Sequence, residues 1–521
     1  MSVKESGIVE LLPAQRDVRI STRATPLDER AINSHDAVIV ICDHETASTT
    51  LRQLPFGNVL ERSHKLARSR SPVSLLSTHV GAQAIPLVLA FAKPAAKFEY
   101  LTLAGRAWKA LVAQPPRRLL ICAWNIDEPN RSQLLEAFAA ASLAGSAPMP
   151  SFKSERTPTV PLEAITLFAE QTNLDVARTL ATDRGNHIAR WLTTLPPNVL
   201  DSAAYRRAVS GIARRERFGF TFLNTAALER AGAGAFLAVA RANDHANAGI
   251  IRLRRRAHDR NDVRGRIALV GKGICFDTGG INLKPHKSMY QMHEDMQGSA
   301  VALGTLLALH ALDAPFDVDC WLAITENNIG PRAYRPQEVV TAANGVTIQI
   351  VHSDAEGRMA LADTLALAVR DKPDVIMEFA TLTGACVTAL TDRFSGVFTN
   401  RPEWHGTLER TGRESGERVW PFPMDEDFDA ELESPMADVL QCTLDSKGDH
   451  ILAARFLSKF VPATVPWIHV DLAASNRPTG LAHVPTDFTG FGVRYATQLL
   501  LDGGLIGNST RSRKRSRGTA S

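Results

Sequence analysis

Acidic and basic side chains gather in two short glycine-containing segments of this 521-residue chain, at 272–295 and 354–358. Their members are Lys272, Asp277, Lys284, Asp295, Asp354, Glu356 and Arg358. Carboxylates at this density repel one another unless cations lie between them, and a carboxylate can bridge two divalent ions about 3.5 to 4 Å apart. Asp277 alone could be a turn residue and Asp354 alone a helix cap. Together, the acids favour a site for two divalent cations.

Short apolar runs separated by helix-length segments predict an α/β fold that positions these residues. The predicted strands are 36–43 and 118–124 in a first domain and 266–270, 319–324, 375–379 and 467–470 in a second. We expect Gly271, Lys272 and Gly273 to follow strand 266–270 directly. Asp295 is expected within a helix over 288–309, and the second acidic segment should precede a helix over 359–370. Ligands of an open α/β sheet bind beyond the carboxyl ends of strands, which is where both segments fall.

The domain organisation follows from the same pattern. We predict an N-terminal α/β domain at 30–165, a connecting helix at 166–195 and a second domain at 196–503, with a largely parallel, mixed sheet flanked by helices. Segment 145–161 contains four prolines and is predicted to be a loop. Five basic and no acidic residues in the last eleven predict a solvated, disordered tail at 504–521.

Composition excludes several classes of protein. Lys and Arg number 59 against 55 Asp and Glu, and without the tail the balance is near −1, which argues against a chain-wide nucleic-acid surface. The tail could still contact an acidic partner. The sequence has no apolar run of about 18 residues and no signal-peptide core, so a membrane-spanning or secreted protein is disfavoured. Six scattered cysteines without a C-x-x-C pair are typical of a reducing cytoplasm.

Two longer blocks, 270–296 (VGKGICFDTGGINLKPHKSMYQMHEDM) and 353–359 (SDAEGRM), resemble the signatures of the leucyl aminopeptidase family, the two-metal cytosolic aminopeptidases. Further matches are RAYRP at 332–336, ATLTGA at 380–385 and FTGFGVR at 488–494. The resemblance covers roughly 195–501. It implies that 196–503 is a catalytic metallopeptidase domain behind an N-terminal domain that varies within the family.

The resemblance also implies a role for each charged residue. The metal ligands would be Lys272, Asp277, Asp295, Asp354 and Glu356, holding two Mn²⁺, Zn²⁺ or Mg²⁺ ions per subunit. Lysine binds metal only when deprotonated, and two adjacent cations would lower its pKa. Lys284 would stabilise negative charge on the tetrahedral intermediate. Arg358 would hold bicarbonate as the general base for a metal-bridging water, the nucleophile.

Four residues match or border the family's pocket for the first substrate residue: Met292, Thr381, Gly384 and His450. The first three could equally be core residues. Asp449 and His450 replace small residues, so we expect them to narrow or polarise the pocket; the alternative is that each faces solvent.

The function implied is removal of the N-terminal residue from short peptides by a cytoplasmic homo-hexamer whose active sites face an inner cavity. Two other functions remain open at this stage. Some members of the family also act as DNA-binding regulators, and carboxylate clusters alone do not distinguish a peptidase from another two-metal hydrolase such as a phosphoesterase.

Overall fold

The computed structural model describes residues 10–45, 48–68, 75–155, 160–168, 174–243, 247–445 and 447–506. Most of the predicted tail therefore lies outside the described residues. Two separate sheets, of six and eight strands, organise the described chain, and a small three-stranded sheet accompanies the larger one.

The six-stranded sheet belongs to the N-terminal part. Its strands are β1 (Arg19–Arg23), β2 (Ala37–Asp43), β3 (Leu75–Val80), β4 (Ile85–Ala92), β5 (Arg118–Trp124) and β6 (Ala164–Phe168). Its helices are α1 (Glu29–Asn33), α2 (Ser48–Leu51), α3 (Gly57–Arg68), α4 (Lys97–Leu111) and α5 (Asn130–Ser146). The strand order is β1-β6-β5-β2-β4-β3, and only the β3–β4 pair is antiparallel. The continuous apolar run of β2 is buried, as expected for a parallel strand covered on both faces.

This sheet extends past both ends of the predicted range 30–165. Strand β1 precedes residue 30, and β6 crosses residue 165 and pairs in parallel with both β1 and β5. The connecting helix was predicted to begin at 166, but 164–168 is strand, and helix α6 is Val176–Thr194. The division into domains stays a prediction.

The remaining elements follow in chain order. The helices are α7 (Ser202–Glu216), α8 (Thr225–Ala231), α9 (Gly234–Ala240), α10 (His286–Met289), α11 (Gln297–Ala311), α12 (Glu356–Val369), α13 (Gly384–Leu390), α14 (His405–Ser415), α15 (Asp449–Ser458) and α16 (Val493–Asp502). The strands are β7 (Gly219–Asn224), β8 (Gly249–Arg255), β9 (Gly265–Asp277), β10 (Phe316–Asn327), β11 (Val339–Thr341), β12 (Thr347–Gln349), β13 (Val375–Ala380), β14 (Ser395–Thr399), β15 (Val419–Pro421), β16 (Val439–Leu440) and β17 (Trp467–Asp471). Short 3₁₀ turns occupy Met292–Glu294, Thr391–Arg393, Pro402–Trp404 and Glu426–Leu432.

The eight-stranded sheet has the order β15-β14-β17-β13-β9-β10-β8-β7. Its four central strands, β17, β13, β9 and β10, run parallel. Toward the edges the pairing is antiparallel between β14 and β17, between β8 and β10, and between β7 and β8. The predicted fold class, two α/β parts with a mixed and largely parallel second sheet, is confirmed. Every strand predicted for the second part lies within an observed strand.

Helices cover both faces of this sheet and enclose two apolar cores. Helices α6, α7, α11 and α16 pack on one face, and α9, α12 and α15 pack on the other. Helix α6 meets α11 where Gly185 faces Gly304: a Cβ on Gly185 would lie 2.3 Å from the Gly304 carbonyl oxygen. Among the described helices, none combines the length and apolar character needed to cross a bilayer.

Candidate metal centre

Strand β9 carries the first two site residues. It was predicted to end at residue 270, but it continues to Asp277, so Lys272 lies within the strand and not in a turn after it. Gly271 is required by helix packing. A Cβ on Gly271 would lie 2.4 Å from the Ser299 Cα, so the glycine permits α11 to pack directly on the strand.

The turn follows Asp277. Gly279 and Gly280 have φ angles of +86° and +65°, in the left-handed region that favours glycine. The Gly279 N–H donates to the Asp277 Oδ1 at 2.8 Å, and the Lys284 N–H donates to the Thr278 carbonyl at 2.9 Å. These hydrogen bonds fold the loop back on itself, which places Lys284 beside the carboxyl end of β9.

Asp295 lies at a break in the chain. The helix predicted over 288–309 is interrupted: α10 ends at Met289, a 3₁₀ turn covers Met292–Glu294, and α11 begins at Gln297. Asp295 occupies the gap, and its carbonyl accepts from the Ile274 N–H of β9 at 3.3 Å. The break thus holds the Asp295 side chain against the strand that carries Lys272.

The second acidic segment forms the start of α12, which begins at Glu356 and not at the predicted residue 359. Glu356 and Arg358 lie in its first turn. Between them, a Cβ on Gly357 would lie 2.3 Å from Lys272 Cε. This glycine lets the lysine side chain cross the beginning of the helix.

Two lysines join the carboxylates into one cluster. The Lys272 Nζ lies 2.7 Å from Asp295 Oδ1 and 3.0 Å from Glu356 Oε1. The Lys284 Nζ lies 2.9 Å from Asp277 Oδ2 and 2.6 Å from Asp354 Oδ1. Oxygen atoms of Asp277, Asp354 and Glu356 all lie within 4.8 Å of one another. The predicted metal ligands and Lys284 therefore converge at one place.

Burial and the close approach of opposite charges together set the pKa values of this cluster. Desolvation raises the pKa of Asp277 and of Asp295, and the nearby Glu356 carboxylate raises both further. For Lys272, burial by itself lowers the pKa, but the carboxylates of Asp295 and Glu356 outweigh it and the net pKa is raised. The lysine is therefore protonated in the metal-free protein, and binding a metal through Nζ requires release of that proton.

The cluster fits divalent metal ions. Asp295 Oδ2 and Glu356 Oε2 are buried oxygen atoms without a hydrogen-bond partner among the described residues. Buried carboxylate oxygens seldom lack a partner, and hard oxygen ligands are what Mn²⁺ and Mg²⁺ prefer. The donor set thus suits a metal on chemical grounds.

Arg358 lies beside the cluster with a partner of its own. Its Nη2 is 2.9 Å from Asp449 Oδ1 and 2.8 Å from Asp449 Oδ2, and its Nη1 donates to the Gln441 carbonyl at 3.3 Å. Asp449 was predicted to border the substrate pocket, and the sequence contained no sign of this ion pair.

Of the predicted pocket residues, Thr381 contacts the cluster directly. Thr381 donates through Oγ1 to Asp295 Oδ1 at 2.7 Å, and its carbonyl accepts from the Lys272 Nζ at 2.9 Å. Gly384 begins α13 with open space where a Cβ would point, and Met292 is partly buried in the 3₁₀ turn before Asp295. The His450 ring is half-buried, with its centroid 4.5 Å from that of Phe422. A ring packed in this way does not point freely into solvent, although its role as a pocket residue stays a prediction.

Sequence reasoning missed two residues that position the acids. Asn327 donates through Nδ2 to Asp277 Oδ1 at 2.8 Å and to the Ser353 carbonyl at 3.0 Å. Gln441 donates through Nε2 to the Ala355 carbonyl at 3.0 Å. The position of Asn327 shortly after predicted strand 319–324 was the one feature of the sequence that could have indicated its role. No feature of the sequence indicated a role for Gln441.

Comparison with known proteins identifies the family. The model of the cytosol aminopeptidase family, catalytic domain, matches residues 187–497, more than half of the chain. The chain belongs to this family. The family membership predicted from the sequence is thereby confirmed, and the match covers every residue of the cluster.

Relatives and solved structures agree with this assignment. A probable cytosol aminopeptidase of Rhodopseudomonas palustris is 31% identical over 484 residues, which span 89% of this chain and 95% of the relative. One from Sulfurihydrogenibium sp. is 35% identical over 316 residues, and that match spans 62% of the relative's length. The bottromycin maturation enzyme BotP in complex with Mn is 28% identical with a TM-score of 0.77, covering 89% of this chain and 98% of BotP. A tomato leucine aminopeptidase mutant, at 24% identity, shares the fold with a TM-score of 0.81 over 94% of this chain and 98% of its own.

Proposed function

We propose that this protein is a two-metal-dependent aminopeptidase that removes the N-terminal residue from short peptides. The observation that carries the proposal is the convergence of four carboxylates and two lysines at the centre of the larger sheet, in a chain of the cytosol aminopeptidase family. A phosphoesterase is disfavoured because the family assignment extends over the whole cluster.

The ligands would be Lys272, Asp277, Asp295, Asp354 and Glu356, and the ions would be Mn²⁺, Zn²⁺ or Mg²⁺. Bound metals supply Lewis-acid polarisation of the peptide carbonyl and activation of water. The bound Mn in BotP supports a metal in this fold. A free amino terminus is a ligand that an internal amide nitrogen cannot be, which would restrict cleavage to the first residue.

Lys284 would act directly on the substrate. Burial by itself lowers its pKa, but the charges of Asp277, Glu356 and Asp354 outweigh burial, and the pKa is raised. Lys284 therefore stays cationic at neutral pH. A fixed positive charge at the edge of the cluster can stabilise the negative charge that develops on the carbonyl oxygen.

The assay compares aminoacyl amides with their N-acetylated forms and with a phosphodiester, using purified protein loaded with Mn²⁺ or Zn²⁺. We expect cleavage of the free-amino substrates only. Asp277→Ala and Glu356→Ala should each abolish cleavage, because each removes an acid that neutralises the cations. Activity that survives exhaustive chelation, or phosphodiester cleavage at a comparable rate, would contradict the proposal.

The assembly and its location belong to the same proposal. We expect a homo-hexamer in the cytoplasm, with its active sites facing an inner cavity that admits short peptides. Light scattering on the purified protein tests the assembly, and a stable, fully active monomer would exclude it. A gel-shift assay with duplex DNA tests the alternative regulatory function.

A further inference from the structure

The Arg358 guanidinium already has an anionic partner from its own chain. Its side chain is 3% exposed, and both carboxylate oxygens of Asp449 lie within 2.9 Å of its Nη2. The family resemblance assigns a bicarbonate ion to this arginine. The structure thus places a carboxylate where a free oxyanion is expected.

The contacts of the guanidinium disfavour a second anion beside Asp449. A small planar oxyanion binds arginine through one of two donor pairs, Nε with Nη2 or Nη1 with Nη2. Both pairs use Nη2, which donates to Asp449, and Nη1 also donates to the Gln441 carbonyl. The Nε atom has no hydrogen-bond partner among the described residues, and an anion bound at the Nε–Nη2 pair would have to share Nη2 with both oxygens of Asp449. A second anion would also lie against the Asp449 carboxylate, and like charges at that distance repel.

The backbone holds Asp449 in place. It is the first residue of α15, where the unpaired N–H groups of the helix favour a negative charge. The preceding Gly448 has a φ of +63°, a conformation that turns the chain into the helix and that favours glycine. The carboxylate is therefore positioned by a helix end and not by a flexible loop.

We propose that Asp449 is the resident anion of Arg358 and takes the place of bicarbonate in this member of the family. The enzyme would then work without a free oxyanion at this arginine. The inference rests on the proposed function for its kinetic consequence, whereas the exclusion of the anion from Arg358 stands independently of peptidase activity.

The test measures binding and activity on the Mn²⁺-loaded protein in carbonate-free buffer. Binding is followed by the saturable line broadening of carbon-13-labelled bicarbonate. The wild-type protein should show no binding at Arg358 and no change in kcat/KM when bicarbonate is added. Asp449→Ala should bind bicarbonate, lose about 10²-fold in kcat without it, and regain about 10-fold when it is added, within the range for one positioned group. The size-matched Asp449→Asn should lose activity without rescue, because its amide still blocks the site.

Two further variants separate the outcomes. Adding Arg358→Ala to Asp449→Ala should abolish bicarbonate binding, which excludes direct binding to the metal ions. Asp429→Ala breaks a comparable pair with Arg455, in which the N–O distances are 2.8 and 2.7 Å, and should leave bicarbonate without effect. Wild-type binding that requires Arg358, or an Asp449→Ala protein that is impaired but does not bind bicarbonate, would overturn the inference. Binding by Asp449→Ala with no peptidase activity in any variant would instead refute the proposed function alone.

Discussion

Replacing Gly357 with alanine tests the geometry of the cluster without removing any charged group. The new methyl carbon would lie 2.3 Å from Lys272 Cε, 2.6 Å from its Nζ and 2.8 Å from its Cδ. Non-bonded carbon atoms prefer about 3.5 to 4.0 Å, so the end of the lysine must move by more than about 1 Å. In an exposed lysine such a shift would cost little. Here the Nζ is buried between Asp295 and Glu356, at 2.7 and 3.0 Å, and the shift disturbs both contacts.

We expect Gly357→Ala to lower kcat/KM by about 10²-fold, the cost typical of a 1 Å misplacement at a reacting centre. Metal affinity should also fall, because Lys272 is a proposed ligand. Folding should not suffer, since alanine in a helix is favoured over glycine by about 1 kcal/mol. The measurements are steady-state kinetics, metal content after dialysis and thermal unfolding.

The matched control is Gly406→Ala in α14, where nothing lies within 4 Å of the added Cβ. It makes the same chemical change in a helix and should leave the kinetics unchanged. Full activity and full metal content in Gly357→Ala would contradict this prediction, because they would show that Lys272 does not need its observed position. Loss of activity together with a large drop in unfolding temperature would show misfolding in place of a local displacement.

Three other predictions follow from the structure. Lys284→Ala should lower kcat by about 10²-fold with metal content unchanged, because it stabilises charge and is not a proposed ligand; metal loss in proportion to the rate would contradict this. His450→Ala should raise kcat/KM for leucine relative to alanine substrates by about 10-fold, because it enlarges the predicted pocket; an unchanged ratio would exclude His450 from that pocket. Burial raises the pKa of Glu417 to about 7, although the N–H groups of Gly492 and Tyr495 donate to its carboxylate. The folded protein then holds a proton that the unfolded chain has lost between about pH 4.5 and 7, so the free energy of unfolding should fall by up to about 3 kcal/mol as pH rises through that window. Glu417→Gln should lack this fall, and identical pH profiles in urea unfolding would refute the assignment.

The sequence predicts those parts of the fold that are encoded by neighbouring residues within one short segment. Strands β2 and β5 contain continuous apolar runs, because parallel strands covered on both faces need no polar positions. The acids of the cluster were equally visible, since seven charged residues in two glycine-containing segments have few purposes other than binding cations. Family signatures then assigned a role to each of them.

Other features depended on contacts between distant segments. Strand β9 continues through Gly271 because it pairs there with both β10 and β13. A glycine required by the close contact with α11 has the same local appearance as a glycine in a turn. Strand β6 escaped prediction because it is short and gains its stability from pairing with β1 and β5.

The candidate metal centre shows the same contrast between local sequence signals and contacts of distant segments. The sequence by itself determined which side chains are present and that they suit divalent cations, because ligand chemistry depends on residue type. Only the tertiary structure decided the partners: Lys272 with Asp295 and Glu356, and Arg358 with Asp449, 91 residues away. An ion pair between elements so far apart leaves no periodicity in the sequence. It forms because the starts of α12 and α15 meet at the edge of the cluster.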